Sequence, residues 1–287
     1  MAMKSPGPDA RMFRRRLTAV AGLASLWLVV IGSAVAAEPA ALDLTLRSRK
    51  EAEAGKGDWR VVETRASWDP AKTAAVVCDM WDRHWCAGAP ARVAEMAPRM
   101  NDLLVALRRR GALIVHCPSD TMKHYADHPG RKLALAAPKL QTDVPLQGWC
   151  RLDPAREAPL PVDDADGGCA DDPPCKQGKA WSRQIDVLKI EEGDGIADGP
   201  EAFYFMKQRE ITSVLVMGVH TNMCVLGRPF AIRQLVKQGM QVALVRDLTD
   251  TMYNPKSRPF VDHFAGTDLV VGHIEKHWCP TITSDQV

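Results

Sequence analysis

Val214-Leu215-Val216-Met217-Gly218-Val219-His220-Thr221-Asn222-Met223-Cys224-Val225 is the stretch that decides how this chain is read. An apolar, β-branched run ends at a glycine and a polar turn follows. A cysteine then opens a segment whose apolar residues, Val225, Leu226, Phe230, Ile232, Leu235 and Val236, recur at helical spacing. The pattern predicts a buried strand at 213–219, a tight turn, and a helix over 224–239 whose first turn carries a thiol. Free backbone N–H groups and the positive end of a helix dipole favour a thiolate there and can hold an oxyanion. A cysteine at such a turn is equally a small buried hydrophobe. The rest of the chain has to separate the two readings.

Outward from this stretch, strand and helix patterns alternate. An apolar run at 73–79 ends in Asp79, and a helical pattern over 91–110 carries Val93, Met96, Met100, Leu103, Leu104 and Leu107. Gly111 closes it, and a second strand over 112–117 stops at Pro118. Residues 132–137 predict a short helix. Periodicity returns at 185–190, which contains Lys189, and is followed by a helix at 200–208. After the central strand and helix come strands at 241–245 and 269–274. Repeated units with continuous apolar strands predict an α/β fold with a mostly parallel sheet covered by helices on both faces. Ligands bind such sheets beyond the carboxyl ends of the strands. Asp79, Lys189 and Cys224 are all expected on that rim.

Two stretches stand outside the pattern. Residues 38–70 are polar and mixed and predict a leader on the domain surface, with a strand at 59–64. Residues 138–182 are rich in Pro, Gly and Asp, hold three cysteines and predict an irregular insertion, a length of loop usual only where it is functional or cross-linked. The main domain is expected over 71–287.

The 287 residues are 46% hydrophobic and 25% charged, the composition of a globular protein with a substantial core, and a net charge of +2 points to no nucleic acid or other polyanion. Arg11, Arg14, Arg15 and Arg16 precede an apolar stretch and then Ala34-Val35-Ala36-Ala37. This is the form of a secretory signal peptide over 1–37, with no stable membrane span once it is cleaved. It predicts export to a bacterial periplasm or beyond. In that setting the eight cysteines are candidates for disulfides, and Cys169 and Cys175 make the simplest pair. Cys86 and Cys279 each end a His-Trp-Cys triplet, and their pairing stays open.

A thiol nucleophile needs a base for its proton or a cation to depress its pKa. Asp79 can take the proton and return it to a leaving amine, Lys189 can hold developing negative charge, and backbone N–H groups around Met223 and Cys224 can form the oxyanion site. The chemistry is acyl transfer to water through a thioester. Taken singly, a strand-end aspartate is more often a turn former or cap, and Lys189 reads as an exposed strand-end lysine. Their joint placement carries the hypothesis.

These residues, with Gly218-Val219-His220-Thr221-Asn222-Met223-Cys224-Val225 and Val245-Arg246-Asp247, resemble the isochorismatase-like cysteine hydrolases, which include nicotinamidases and N-carbamoylsarcosine amidohydrolase. The resemblance covers about 72–275, interrupted by the insertion. It implies a three-layer, Rossmann-like α/β fold, an Asp79, Lys189, Cys224 triad, a cis peptide at Val219–His220 turning N–H groups toward the oxyanion, a small-molecule substrate and a homo-oligomer. The chain departs from the family after the aspartate, with Trp81-Asp82-Arg83-His84-Trp85-Cys86, so Trp81, Asp82, His84, Trp85 and His116 are the pocket candidates. The Asp-x-His metal pattern of nicotinamidases is missing. No cofactor is expected, although Asp82, His84, His116 and His124 are residue types that bind zinc. Two alternatives stay open: an exported small-molecule binding protein without turnover, and vinyl-ether hydrolysis of the isochorismatase kind.

Overall fold

The computed structural model describes residues 41–287. The expected signal peptide lies outside the described residues, and no helix among those described is long and apolar enough to cross a membrane.

The chain begins with two ten-residue strands, β1 (Leu42–Glu51) and β2 (Trp59–Trp68), paired antiparallel along their whole length. The stretch expected as a surface leader is therefore part of the sheet. β2 covers the strand expected at 59–64, and β1, which was not expected, carries the period-2 alternation Leu42, Leu44, Leu46, the first two fully buried. β3 (Thr73–Cys78) follows, then α1 (Gly88–Arg109), β4 (Leu113–Cys117) and α2 (Pro129–Ala136). The insertion leads to a two-residue β5 (Gly195–Ile196), α3 (Glu201–Gln208) and β6 (Ser213–Val219). The remainder comprises α4 (Cys224–Gly227), α5 (Ile232–Lys237), β7 (Gln241–Asp250), α6 (His263–His277) and β8 (Thr281–Ile282).

The eight strands form one sheet in the order β2-β1-β8-β7-β6-β3-β4-β5. The six from β8 to β5 are mutually parallel, and β1 joins them antiparallel to β8. Both faces are buried, as continuous apolar strands require. Ala75 and Val77 of β3 pack on the face of Val93, Ala97, Met100 and Leu104 from α1. Ala74, Val76 and Cys78 pack on the opposite face with Phe205, Leu235, Val270 and Ile274 from α3, α5 and α6.

Three segments differ from expectation. Residues 185–190 form turns, because their apolar residues anchor a loop to α1 without entering the sheet. Residues 269–274, expected as a strand, lie inside α6, whose β-branched residues are buried by tertiary packing that overrides propensity. The helix expected over 224–239 breaks at Arg228, which is extended (φ −66°, ψ 155°). Pro229 explains the break, since the residue before a proline is pushed out of the helical region.

Candidate active site

β3 and β6 are neighbours in the sheet, and their carboxyl ends carry Asp79 and the turn to Cys224. Asp79 still donates its backbone N–H to Cys117 O at 3.0 Å, but its φ of 48° then turns the chain off the sheet. This left-handed conformation, which aspartate tolerates better than most residues, keeps the carboxylate on the rim. There Oδ1 accepts the Ser119 N–H at 2.7 Å, and the side chain is fully buried.

On β6 the backbone of Gly218 adopts φ 108°, and a Cβ at this position would meet Cys78 O at 2.0 Å. Only glycine allows β3 and β6 to approach so closely where the turn begins. The peptide Val219–His220 is cis. The turn beyond it is held by the extension of β7: Thr221 N–H donates to Asp250 O at 2.9 Å, and the Asn222 side chain exchanges two 3.0 Å hydrogen bonds with the Met252 backbone. Asn222 Nδ2 also donates to Asp164 in the insertion at 2.7 Å.

Cys224 is buried against Asp79. Burial first, and then the Asp79 charge, push its thiol well above the ordinary range, while Arg228 pulls it down. Asp79 is raised to about 6 by burial, with Arg228 and Cys224 acting in the opposite direction. Arg228 is the cation of the site. Its Nε lies 3.4 Å from Asp79 Oδ2, and its Nη2 donates to Asp120 at 3.1 Å. The break before Pro229 is what sends this side chain back over the thiol instead of along a helix.

Lys189 is elsewhere. It is exposed, its Nζ donates to Asp186 O at 2.8 Å, and its backbone is bound to Asn101 and Arg108 of α1. Asn101 is about 14 Å of helix beyond Arg92, the residue of α1 that reaches the rim by pairing with Asp250. The structure thus brings together Asp79 and Cys224, leaves Lys189 out, and adds Arg228. The sequence signal for Arg228 was the Arg228-Pro229 pair, which marks a helix end four residues after the cysteine.

The turn itself differs from the oxyanion arrangement expected of it. The Met223 N–H is occupied by His220 O at 3.0 Å, whereas the Cys224 N–H has no acceptor among the described residues. α4 is a single turn, so its dipole contributes little at the thiol.

Trp81 stacks on Trp181 of the insertion with ring centroids 4.4 Å apart and planes 12° apart, and donates through Nε1 to Ser119 O at 3.0 Å. His84 extends the stack beside Trp181 and Trp85 and meets His220 edge-on at 5.1 Å. Burial lowers His84 to about 4 and His220 to about 3, so both rings are neutral at pH 7. Trp81, His84, Val219 and His220 border, with Asp79, a narrow crevice that has no room for a water molecule as the side chains stand.

The zinc-type donors do not gather. Asp82 accepts from Ser182 and Arg183, His84 Nδ1 accepts from the Cys86 N–H, and buried His116 is held between Gln184 at 2.9 Å and Asp194 at 3.2 Å. His124 stands edge-on to Tyr125. These donors point to different partners and do not fit one ion. All eight cysteines are free, including Cys169 and Cys175, and Cys86 lies with those two and away from Cys279.

Several buried polar atoms around the thiol have no hydrogen-bond partner: Asp79 Oδ2, Ser119 Oγ, His220 Nε2, Arg228 Nε and, on the aromatic wall, Trp181 Nε1. Buried polar atoms are ordinarily paired, and a cluster of unpaired ones beside a buried thiol marks a candidate place for a ligand.

The chain is similar to the isochorismatase-like cysteine hydrolases. A cysteine hydrolase from Pseudomonas syringae matches at 16% identity and a TM-score of 0.49, over 76% of this chain and 92% of that one. An isochorismatase family protein from Burkholderia thailandensis matches at 15% identity and a TM-score of 0.45, over 76% and 94% of the two chains. A pyrazinamidase of Pyrococcus horikoshii, in complex with zinc, matches at 14% identity and a TM-score of 0.42, over 74% and 99%. No family model matches the chain, and no curated protein does.

Proposed function

We propose that the protein is an exported cysteine hydrolase that cleaves a C–N bond of a small amide through a thioester on Cys224. The observation that carries this reading is the buried Asp79–Cys224 pair under the Arg228 guanidinium, ringed by unsatisfied polar atoms. Asp79, raised to about 6, is a stronger base than an ordinary carboxylate yet ionised at neutral pH. It takes the thiol proton as sulfur attacks the carbonyl carbon, and returns it to the departing nitrogen. Water, deprotonated by the same carboxylate, then attacks the thioester, and the sulfur leaves with its proton restored. The Cys224 N–H and the Arg228 guanidinium are the donors available to the developing oxyanion.

An amide fits this pair better than a vinyl ether, because acyl transfer uses both the nucleophile and the shuttled proton. Trp81, Trp181 and His84 offer a flat, largely apolar wall suited to a planar or aromatic acyl group. The test is a panel of small amides assayed with the wild type and Cys224→Ala. The wild type should be alkylated by iodoacetamide at Cys224, and Cys224→Ala should fold normally and lose at least about 10³-fold in kcat. Full turnover in that variant overturns the reading, and ligand binding without turnover in the wild type favours the binding-protein alternative.

A further inference from the structure

Three of the cysteines that the hydrolytic reading leaves unused meet at one atom. Cys86 Sγ, Cys169 Sγ and Cys175 Sγ lie 3.3, 3.5 and 3.3 Å from the same carboxylate oxygen, Asp171 Oδ2. That oxygen also accepts the Gly88 N–H at 3.0 Å, in the first turn of α1. Cys86 comes from the segment after β3, and the other three groups come from the insertion. The donor atoms of Cys86, Cys169 and Asp171 all lie within 4.8 Å of one another.

As a set of hydrogen bonds this arrangement is over-subscribed. A carboxylate has about four lone-pair sites, two on each oxygen, yet four donors converge on Oδ2, and Oδ1 accepts from nothing among the described residues. A metal ion removes the excess. One lone pair of Oδ2 then binds the metal and the other keeps the Gly88 N–H. The sulfur–oxygen distances agree, since tetrahedral zinc with Zn–S near 2.3 Å and Zn–O near 2.0–2.2 Å has sulfur–oxygen edges of about 3.5–3.6 Å; Cys175 stands outside the close group of Cys86, Cys169 and Asp171 and joins it through its 3.3 Å approach to Asp171 Oδ2.

We propose that Cys86, Cys169, Cys175 and Asp171 form a closed structural site for a thiophilic divalent cation, zinc by ligand type. On binding, the three thiols release three protons to solvent and the ion gains three thiolates and one carboxylate. With four protein ligands the site has no open position for a substrate, so its role is to tie. Cys86 and Cys169 pack with Ala89 and Met252, and Trp85, Cys175 and Met223 flank them. The ion therefore fastens the insertion to the start of α1 and to the residue preceding the nucleophile. It is separate from the Asp79–Cys224 chemistry and does not depend on it.

The experiment is metal analysis of the purified full chain, followed by zinc titration of reduced, metal-free protein against a chromophoric chelator. About one zinc per chain is expected, falling to about a tenth of that in Cys86→Ser and Cys169→Ser. Asp171→Asn keeps all three thiols and should bind zinc about 10–100-fold more weakly. Cys150→Ser, outside the cluster, should not change the stoichiometry. Cobalt replacement should give sulfur-to-metal charge-transfer absorption that Cys175→Ser diminishes. A chain that neither carries nor takes up zinc overturns the proposal. So does a peptide map in which Cys169 is bridged to Cys86 or Cys175, or an Asp171→Asn variant with undiminished affinity.

Discussion

Arg228 Nε stands 3.4 Å from Asp79 Oδ2, and it reaches that position because Pro229 ends a one-turn helix at the residue before it. The guanidinium opposes the burial that raises Asp79. Arg228→Met should move the acid limb of kcat/KM upward from about 6 and lower the plateau about 10²–10³-fold. Arg228→Lys should recover part of the charge effect without the planar fork. An acid limb that stays in place in Arg228→Met would count against this assignment.

Asp79 also links pH to stability. Its pKa is near 6 in the folded chain against 3.8 ordinarily, so the native state binds more protons than the unfolded state between those values. Stability must then fall as pH rises through that window. Asp79→Asn keeps the Oδ1 acceptor for Ser119 while removing the buried charge. It should be more stable than wild type at pH 8 by about 2–3 kcal/mol in urea unfolding, and inactive. A destabilised Asp79→Asn would mean that the carboxylate is better compensated than its surroundings indicate.

Lys189→Ala distinguishes the two possible cations. With an exposed Nζ bound to a neighbouring carbonyl, Lys189 should be replaceable with kcat/KM changed by no more than about twofold. A loss comparable to that of Arg228→Met would place Lys189 at the chemistry after all.

Glu157 anchors the insertion from its other end. Its fully buried carboxylate is bound by Arg233 at 2.8 Å, His273 at 2.8 Å and the Trp278 indole at 2.8 Å. These partners outweigh the burial cost and hold its pKa near 2. The stabilisation is complete above the ordinary glutamate pKa and disappears as pH falls through about 2. Glu157→Gln should cost about 3–5 kcal/mol at pH 7, read as a lower midpoint in urea, and the difference from wild type should shrink in acid.

The strands and the thiol were legible because their signals are local. Val214 to Val219 is uninterrupted and apolar, Gly218 precedes the turn, and Asp79 ends a strand just as it reads. What was not legible depends on partners distant in sequence. Lys189 follows an apolar alternation that anchors a loop against α1, so a strand pattern was present without a strand. Arg228 sits in a helical periodicity that one proline overrules. β1 alternates at Leu42, Leu44 and Leu46 only over its first half; beyond them its residues are polar and mostly half-buried, and their ordering rests on pairing with β2 and on Glu275, whose carboxylate binds both Arg47 and Arg49. Asp171 lies in a polar loop that looks like a linker until three sulfurs are seen around it.

The break at Arg228 has a consequence for how specificity can vary. Cys150 of the insertion donates its N–H to Gly227 O at 2.7 Å, and Trp149 lies under the Arg228 guanidinium with the charge 5.6 Å from its ring. The loop completes a helix end that the proline left unfinished, and it forms the bed on which the charge rests. Excision of 138–182 would not yield a smaller catalyst with a wider mouth. On the proposed mechanism, selectivity and reactivity are inherited together, since a residue exchanged in the loop to admit a new ligand also retunes the carboxylate that takes the Cys224 proton.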